Sequence, residues 1–459
     1  MPCRRGTGAR GARSGVRALL HGVVERIGRA TPTGRERAVD GIRAFAVCCV
    51  VSGHWLVTAP VVWADGGLRV ASPLRDMPAL APLSWIFQAL GLFFLVGGYV
   101  SARGLARARE RGSTTGAWVR ARVVRLTRPL VFTAAVWGVL TGLFAAAGVA
   151  DQTLRTAALL VVQPMWFIVV YAAITASTSV VVAADRRWGL AAVVAPLAVV
   201  AAVDLARFGP WREAVPAWVG LLTILPAWLF SYQVGVAWAR GGVGRRAAWT
   251  LLVVGAAGLV VLVGPLDYPV SAVGVPGAER GNANPPSLFV PSLAAAQIGV
   301  AVLARERLER LLRRPPLWAA VAALNLAAMT VFCWHQGVLV LTATAASGVG
   351  VVPGLTSTPS GPEWIAARLS WLPVLAALLV AVTVAARRFE GPWERTVLGR
   401  AARGGGAGRR GVHGVRPGGD LSGRAGTGQA STSGTRSMSA ASPSASRRSA
   451  GRTVRPART

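Results

Sequence analysis

Arg43-Ala-Phe-Ala-Val-Cys-Cys-Val-Val-Ser-Gly-His54 is an apolar run opened by an arginine and closed by a histidine. With its flanks it covers about 39–60, close to the roughly 20 apolar residues that a helix needs to cross a bilayer. Ionisable groups inside such a helix cost free energy and so mark functional candidates. At about 1.5 Å per residue, His54 stands about 16 Å along the helix axis from Arg43. Arg43 has two readings: a long side chain that snorkels to headgroups from near a helix end, or a charge that holds an anionic ligand. His54 snorkels less easily. It is either a neutral histidine bonded to a neighbouring helix or a catalytic base.

Outward from this helix the apolar pattern recurs. Of the 459 residues 53% are hydrophobic, and the mean hydropathy is +0.49. That composition belongs to integral membrane proteins. Spanning-length stretches lie near 39–60, 83–102, 129–149, 156–184, 188–205, 217–239, 247–265, 287–304, 317–345 and 368–386. The expected fold class is all-α: a polytopic membrane protein of about ten transmembrane helices.

The net charge of +32 is carried by arginine, with no lysine. Arg, Ala, Gly and Pro share GC-rich codons, so the excess does not announce a nucleic-acid partner, and none is expected. Placement is more informative. With the N-terminus in the cytoplasm, the outer loops hold Arg69, Arg75, Arg155, Arg207, Arg212, Arg280 and, at a helix edge, Arg368. The remaining arginines, Arg43 apart, fall on the inner side. The positive-inside rule then puts both termini in the cytoplasm and favours an even number of helices. The expected location is the plasma membrane.

Three segments follow from this reading. Residues 1–34 are basic and expected to lack fixed structure. Residues 35–390 form the transmembrane domain. Residues 391–459 are a Gly/Ser/Arg-rich cytoplasmic tail, too poor in apolar residues to order itself and suited to anionic lipid. The N-terminal stretch carries no apolar h-region, so no cleavable signal peptide is expected. Cys3, Cys48, Cys49 and Cys333 show no CxxC spacing, which gives no sign of a zinc site or a disulfide framework.

The second intramembrane histidine is His335, in Val331-Phe-Cys-Trp-His-Gln-Gly337. A helix starting near 320 and running outward brings it to the depth of His54, while His21 and His413 fall in the tails. Two histidines at one level point to a polar site in the outer half of the bundle. Before the third helix, Arg122, Arg125 and Arg128 recur every three residues, which on a helix keeps them on nearly one face. Guanidinium forks suit phosphate oxygens, on a ligand or on lipid headgroups. Asp267, Glu279, Asn282 and Asn284 in an outer loop either meet a sugar or are ordinary solvated residues.

Taken together, these stretches resemble the bacterial integral-membrane acyltransferase family 3, whose members O-acylate sugars and related hydroxyl compounds. Arg37-Ala-Val-Asp-Gly-Ile-Arg43 through His54 is similar to the family's opening helix with its Arg-x10-His spacing. Gly91-Leu-Phe-Phe-Leu-Val-Gly-Gly-Tyr99 is similar to its "FFxxSGF/Y" stretch, although the usual Ser-Gly pair is Gly97-Gly98 here. Arg122-Val-Val-Arg-Leu-Thr-Arg-Pro129 is similar to its "RxxRxxP", and Met165-Trp166-Phe167 to its "hLWFL". The segment around Trp334-His335 resembles a looser histidine-bearing stretch. No hydrolase-like domain follows the last helix, as it does in fused members, so any acyl hand-off outside the cell requires a separate extracytoplasmic partner.

The resemblance implies an O-acyltransferase with acyl-CoA, most commonly acetyl-CoA, as co-substrate and no permanently bound cofactor or metal. It implies a sugar or cell-envelope glycan as acceptor, and thus polysaccharide modification. Acyl transfer to an alcohol needs a base and a group that stabilises an oxyanion. His54 is the expected base, with Arg43 and His335 beside it in the catalytic set. Arg122, Arg125 and Arg128 are the expected phosphate-binding row. The alternative is a transporter or lipid flippase that couples protons through intramembrane His and Arg. Helices broken near the midplane would favour it, and Pro196, Pro226 and Pro373 are the residues placed to break them. A membrane anchor without catalysis is a third reading.

Overall fold

The structure is a computed structural model and describes residues 21–387, Trp211 and Glu279 excepted. Its main helices are α1 (Arg37–Val57), α2 (Leu90–Glu110), α3 (Thr115–Ala146), α4 (Asp151–Val162), α5 (Trp166–Ala176), α6 (Thr178–Trp188), α7 (Val194–Phe208), α8 (Ile224–Ala239), α9 (Arg245–Val263), α10 (Phe289–Leu303), α11 (Arg305–Leu311), α12 (Pro315–Ser347) and α13 (Pro362–Ala386). A short hairpin of β1 (Ala59–Val62) and β2 (Leu68–Ala71) follows α1, with Ala59 opposite Ala71 and Val62 opposite Leu68. Among the described residues nine helical spans are long and apolar enough to cross a membrane, or ten if α10 and α11, bent by 55°, make one pass. The protein is therefore an all-α polytopic membrane protein. The face at the Arg37 end of α1 is called the terminal face below.

The core is built where α1, α2, α8 and α12 meet. Small residues let α2 and α8 touch backbone to backbone: a Cβ on Gly98 would stand 2.0 Å from the Tyr232 carbonyl oxygen, and one on Gly235 2.0 Å from that of Leu95. Close approach of this kind is how helices bind one another where lipid removes the hydrophobic driving force. The Phe94 ring stacks on Trp228 in the same core, at 5.2 Å between centroids. Val131, Val139, Val254 and Val380 on α3, α9 and α13 stay exposed, as suits helices that face hydrocarbon.

Several boundaries differ from the sequence expectation. The arginine-rich stretch before the third span is helical. α2 continues to Glu110, and α3 begins at Thr115 behind Thr114, whose Oγ1 accepts from the Ala117 N–H. Pro129 lies inside α3, not at its start. Its fixed φ fits a helix and only one ladder bond is lost. A one-residue break at Ser177 separates α5 from α6 inside the expected fourth span, 156–184. At the break Ser177 Oγ bonds the Ile174 carbonyl and Thr178 Oγ1 bonds that of Thr175, so hydroxyls compete with the backbone ladder. The chain reverses after Trp188, at Gly189 with φ 56°, close to the expected boundary at 185–187. Pro373 sits within an unbroken α13, and Pro196 and Pro226 lie in the first turns of α7 and α8. None of the three breaks a span at its middle.

The N-terminal segment needs a correction too. Residues 21–30 form a helix, held by the ladder His21–Glu25–Arg29 at four-residue spacing. It is tied down by Trp318, whose Nε1 donates to Thr31 Oγ1 at 2.8 Å. Residues 1–20 and the expected tail at 391–459, with Cys3 and His413, lie outside the described residues.

Candidate active site

The site grows from the far end of α1. His54 lies in its last turn, half-buried, and His335 lies inside α12, fully buried. His54 Nδ1 and His335 Nε2 are 2.7 Å apart, with ring centroids at 4.9 Å. His335 Nδ1 is 2.7 Å from the Phe332 carbonyl oxygen. A carbonyl only accepts, so His335 Nδ1 carries the proton. In the neutral ring its Nε2 is then the bare nitrogen and accepts from His54 Nδ1–H. This assigns the tautomer of His54: its Nε2 is left with a lone pair and no partner among the described residues. The relay Phe332 carbonyl, His335, His54 therefore ends in a base. If His54 takes a second proton, its Nδ1–H bond to His335 is kept, so the resulting imidazolium remains held. Trp55 fixes the same register by donating from Nε1 to the His335 carbonyl at 2.8 Å.

An aromatic wall joins this pair to Arg43. The Arg43 guanidinium lies 5.4 Å from the Phe93 ring, Phe93 lies 5.1 Å from Phe167, Phe167 lies 4.8 Å from Phe332, and Phe332 lies 5.6 Å from His335. The wall brings together residues from α1, α2, α5 and α12. Arg43 points into the bundle and is half-buried, with Asp40, Tyr171 and Arg122 in electrostatic reach.

The three arginines of α3 divide. Arg122 is half-buried and packs toward α2, with Nη2 2.8 Å from where a Cβ on Gly104 would lie and its guanidinium 5.4 Å from the Trp118 ring. Arg125 and Arg128 are exposed on the same helix. The fold thus joins His54 to His335 and brings Arg43 near Arg122, while Arg125 and Arg128 stand at the surface of the terminal half. Farther up the α3–α12 seam, where Trp137 meets Gly337, the buried side-chain atoms Thr133 Oγ1, Trp137 Nε1, Thr330 Oγ1 and Trp334 Nε1 all lack hydrogen-bond partners.

The Gly97 departure has a local cause. A Cβ at residue 97 would lie 2.8 Å from the hydroxyl oxygen of Tyr171, so that phenol fills the space of a serine side chain. In the loop between α9 and α10, Asn282 is a buried peg that donates to the Pro269 and Ser271 carbonyls and accepts from Ser287. Asp267 and Asn284 are exposed, and Glu279 lies outside the described residues.

A family model described as an acyltransferase domain, that of acyltransferase family 3, matches residues 36–387. The chain belongs to this family. No curated protein and no solved structure matches it. The match runs from the residue before α1 to the residue after α13, so every residue of the relay and the wall lies in the acyltransferase domain. The sequence brings both histidines to one depth but carries no signal that two more residues lie near them. One is Tyr171. The other is Arg368, fully buried in α13, which donates from Nη2 to the Thr58 carbonyl at 2.9 Å.

Proposed function

We propose that this acyltransferase moves an acyl group, acetyl in the simplest case, from acyl-CoA to a hydroxyl of a sugar or cell-envelope glycan. The observation that carries the proposal is the relay, because it presents an unprotonated His54 Nε2 with a second imidazole to steady the charge it gains. His54 takes the acceptor's hydroxyl proton as the hydroxyl oxygen bonds to the thioester carbonyl carbon. The carbonyl electron pair moves onto its oxygen. When the pair returns, the C–S bond breaks, and the departing thiolate takes the proton from His54. His335 orients His54 and stabilises its cation, the part a carboxylate plays in a Ser-His-Asp triad.

The donor side is supported by position. The terminal face carries the arginine-rich segments, which by the positive-inside rule makes it cytosolic, in the plasma membrane. Arg122, Arg125 and Arg128, with Arg43, offer guanidinium groups to the phosphates of acyl-CoA. The unpartnered atoms of the α3–α12 seam suit the amides and hydroxyl of a pantetheine arm on its way to His54.

The test is His54→Ala in membranes supplied with radiolabelled acetyl-CoA, scored as base-labile ester label on endogenous glycan. Label should vanish while the variant still inserts. Undiminished transfer would remove His54 from the chemistry.

A further inference from the structure

Arg368 is a buried charge that the fold does not neutralise. Among the described residues no carboxylate lies within its electrostatic reach. Its Nη2 serves the Thr58 carbonyl, and its guanidinium stands 4.7 Å from the Trp364 ring, but Nε and Nη1 are buried without a hydrogen-bond partner. Buried cations are ordinarily paired, because idle donors in a dry interior are costly. An uncompensated one inside a spanning helix marks a place where negative charge arrives from elsewhere.

Thr58 ties this charge to the histidines. Its N–H donates to the His54 carbonyl at 2.9 Å, one helical turn on, and its Oγ1 accepts from Gln336, the neighbour of His335, at 3.3 Å. Arg368 is held on the Thr58 carbonyl, one turn past His54 on the same stretch of chain, so both groups belong to the same end of α1. A carboxylate partner would cancel the arginine's field before the reaction, whereas an unpaired donor is already aligned for charge that develops during it.

Building on the acyl-transfer reading above, we propose that Arg368 is a catalytic residue that donates to the oxyanion formed when the acceptor hydroxyl adds to the thioester carbonyl. As the intermediate collapses, the oxyanion's electron pair re-forms C=O, the thiolate leaves, and Arg368 returns to its unpaired state.

Two variants test this with radiolabelled acetyl-CoA in membranes. Arg368→Met keeps length and removes charge, and Arg368→Ala leaves room for added guanidinium ion. The Met variant should lose about 10²- to 10³-fold in kcat with little change in apparent KM for acetyl-CoA. Millimolar guanidinium should restore part of the Ala variant's rate and none of that of His54→Ala. An unchanged kcat, an Ala variant that ignores guanidinium, or loss of the folded peak in size-exclusion for both variants would each overturn the assignment. Label transferred by His54→Ala would instead remove the underlying acyl-transfer reading, whatever Arg368 does.

Discussion

The two ends of α1 follow opposite rules. At the Arg37 end the charges are matched. Arg35 grips Asp40 through two bonds of 2.6 and 2.9 Å, Glu36 meets Arg103 and Arg305, and Glu309 of α11 accepts from the backbone N–H groups of Arg37 and Ala38. Glu309 thereby caps α1 and sets a negative charge on the positive end of its dipole. At the His54 end, 17 residues on from Arg37 in a 21-residue helix, an imidazole nitrogen and two guanidinium nitrogens are left idle. Paired charges hold architecture in place, while idle ones are open to a substrate. The comparison predicts that substitutions at the first end change stability and those at the second change rate.

The largest effect belongs to the histidine pair. His54→Ala should cost about 10²- to 10⁴-fold in kcat, the range of a general base. His335→Ala should cost less, since it leaves the base in place but its tautomer unguided. The double variant should be no slower than His54→Ala, because the two act as one unit. Kinetics of all three variants check this. Multiplying losses would mean that the histidines act independently and that the 2.7 Å contact is only packing.

Much of this contrast was legible in the sequence. The Arg43-to-His54 run gave the membrane helix, and the depth of His335 followed from counting residues. Their contact did not, because depth along two helices says nothing about which faces meet. In the sequence Arg368 stands at the outer edge of a span, because the apolar run begins there. Gly361-Pro362-Glu363 is a helix-start signal, and it places Arg368 nearly two turns inside α13. The break at Ser177, inside the expected 156–184 span, hid for a similar reason: hydroxyls make it where glycine or proline would have been noticed. The replacement of a serine at residue 97 by the Tyr171 phenol depends on two helices and has no local signature.

The arginine row should give a middling effect. Arg125→Gln with Arg128→Gln is expected to raise the apparent KM for acetyl-CoA about tenfold, the loss of one or two charge-assisted contacts, with kcat preserved. Higher salt should raise the KM of the native protein and change that of the variant less. An unaltered KM would return these residues to lipid headgroups and leave Arg43 and Arg122 to meet the donor. At the matched end, Glu309→Ala removes the α1 cap and should cost about 1 kcal/mol of stability, seen as a lower Tm in detergent with activity per folded molecule unchanged. A rate effect there would erase the distinction between the two ends.

The smallest effect is the pH dependence at Glu36. Burial pushes its carboxyl up, but hydrogen bonds with Tyr99 and Arg103 and the charges of Arg103 and Arg305 outweigh this and hold it below its ordinary value. A carboxylate whose folded pKa is depressed adds stability above its unfolded pKa, about 4.3, and loses it as pH falls through the lower folded value. The gap in Tm between the native protein and Glu36→Gln should therefore be constant near neutrality and close below about pH 4. It should be small throughout, because Glu36 is partly open to solvent and its ion pairs are screened. A gap that stays open in acid would mean that Glu36 works through the shape of its side chain. The matched end of α1 would then owe its stability to packing, and pairing of charge would no longer be what separates it from the end that carries His54.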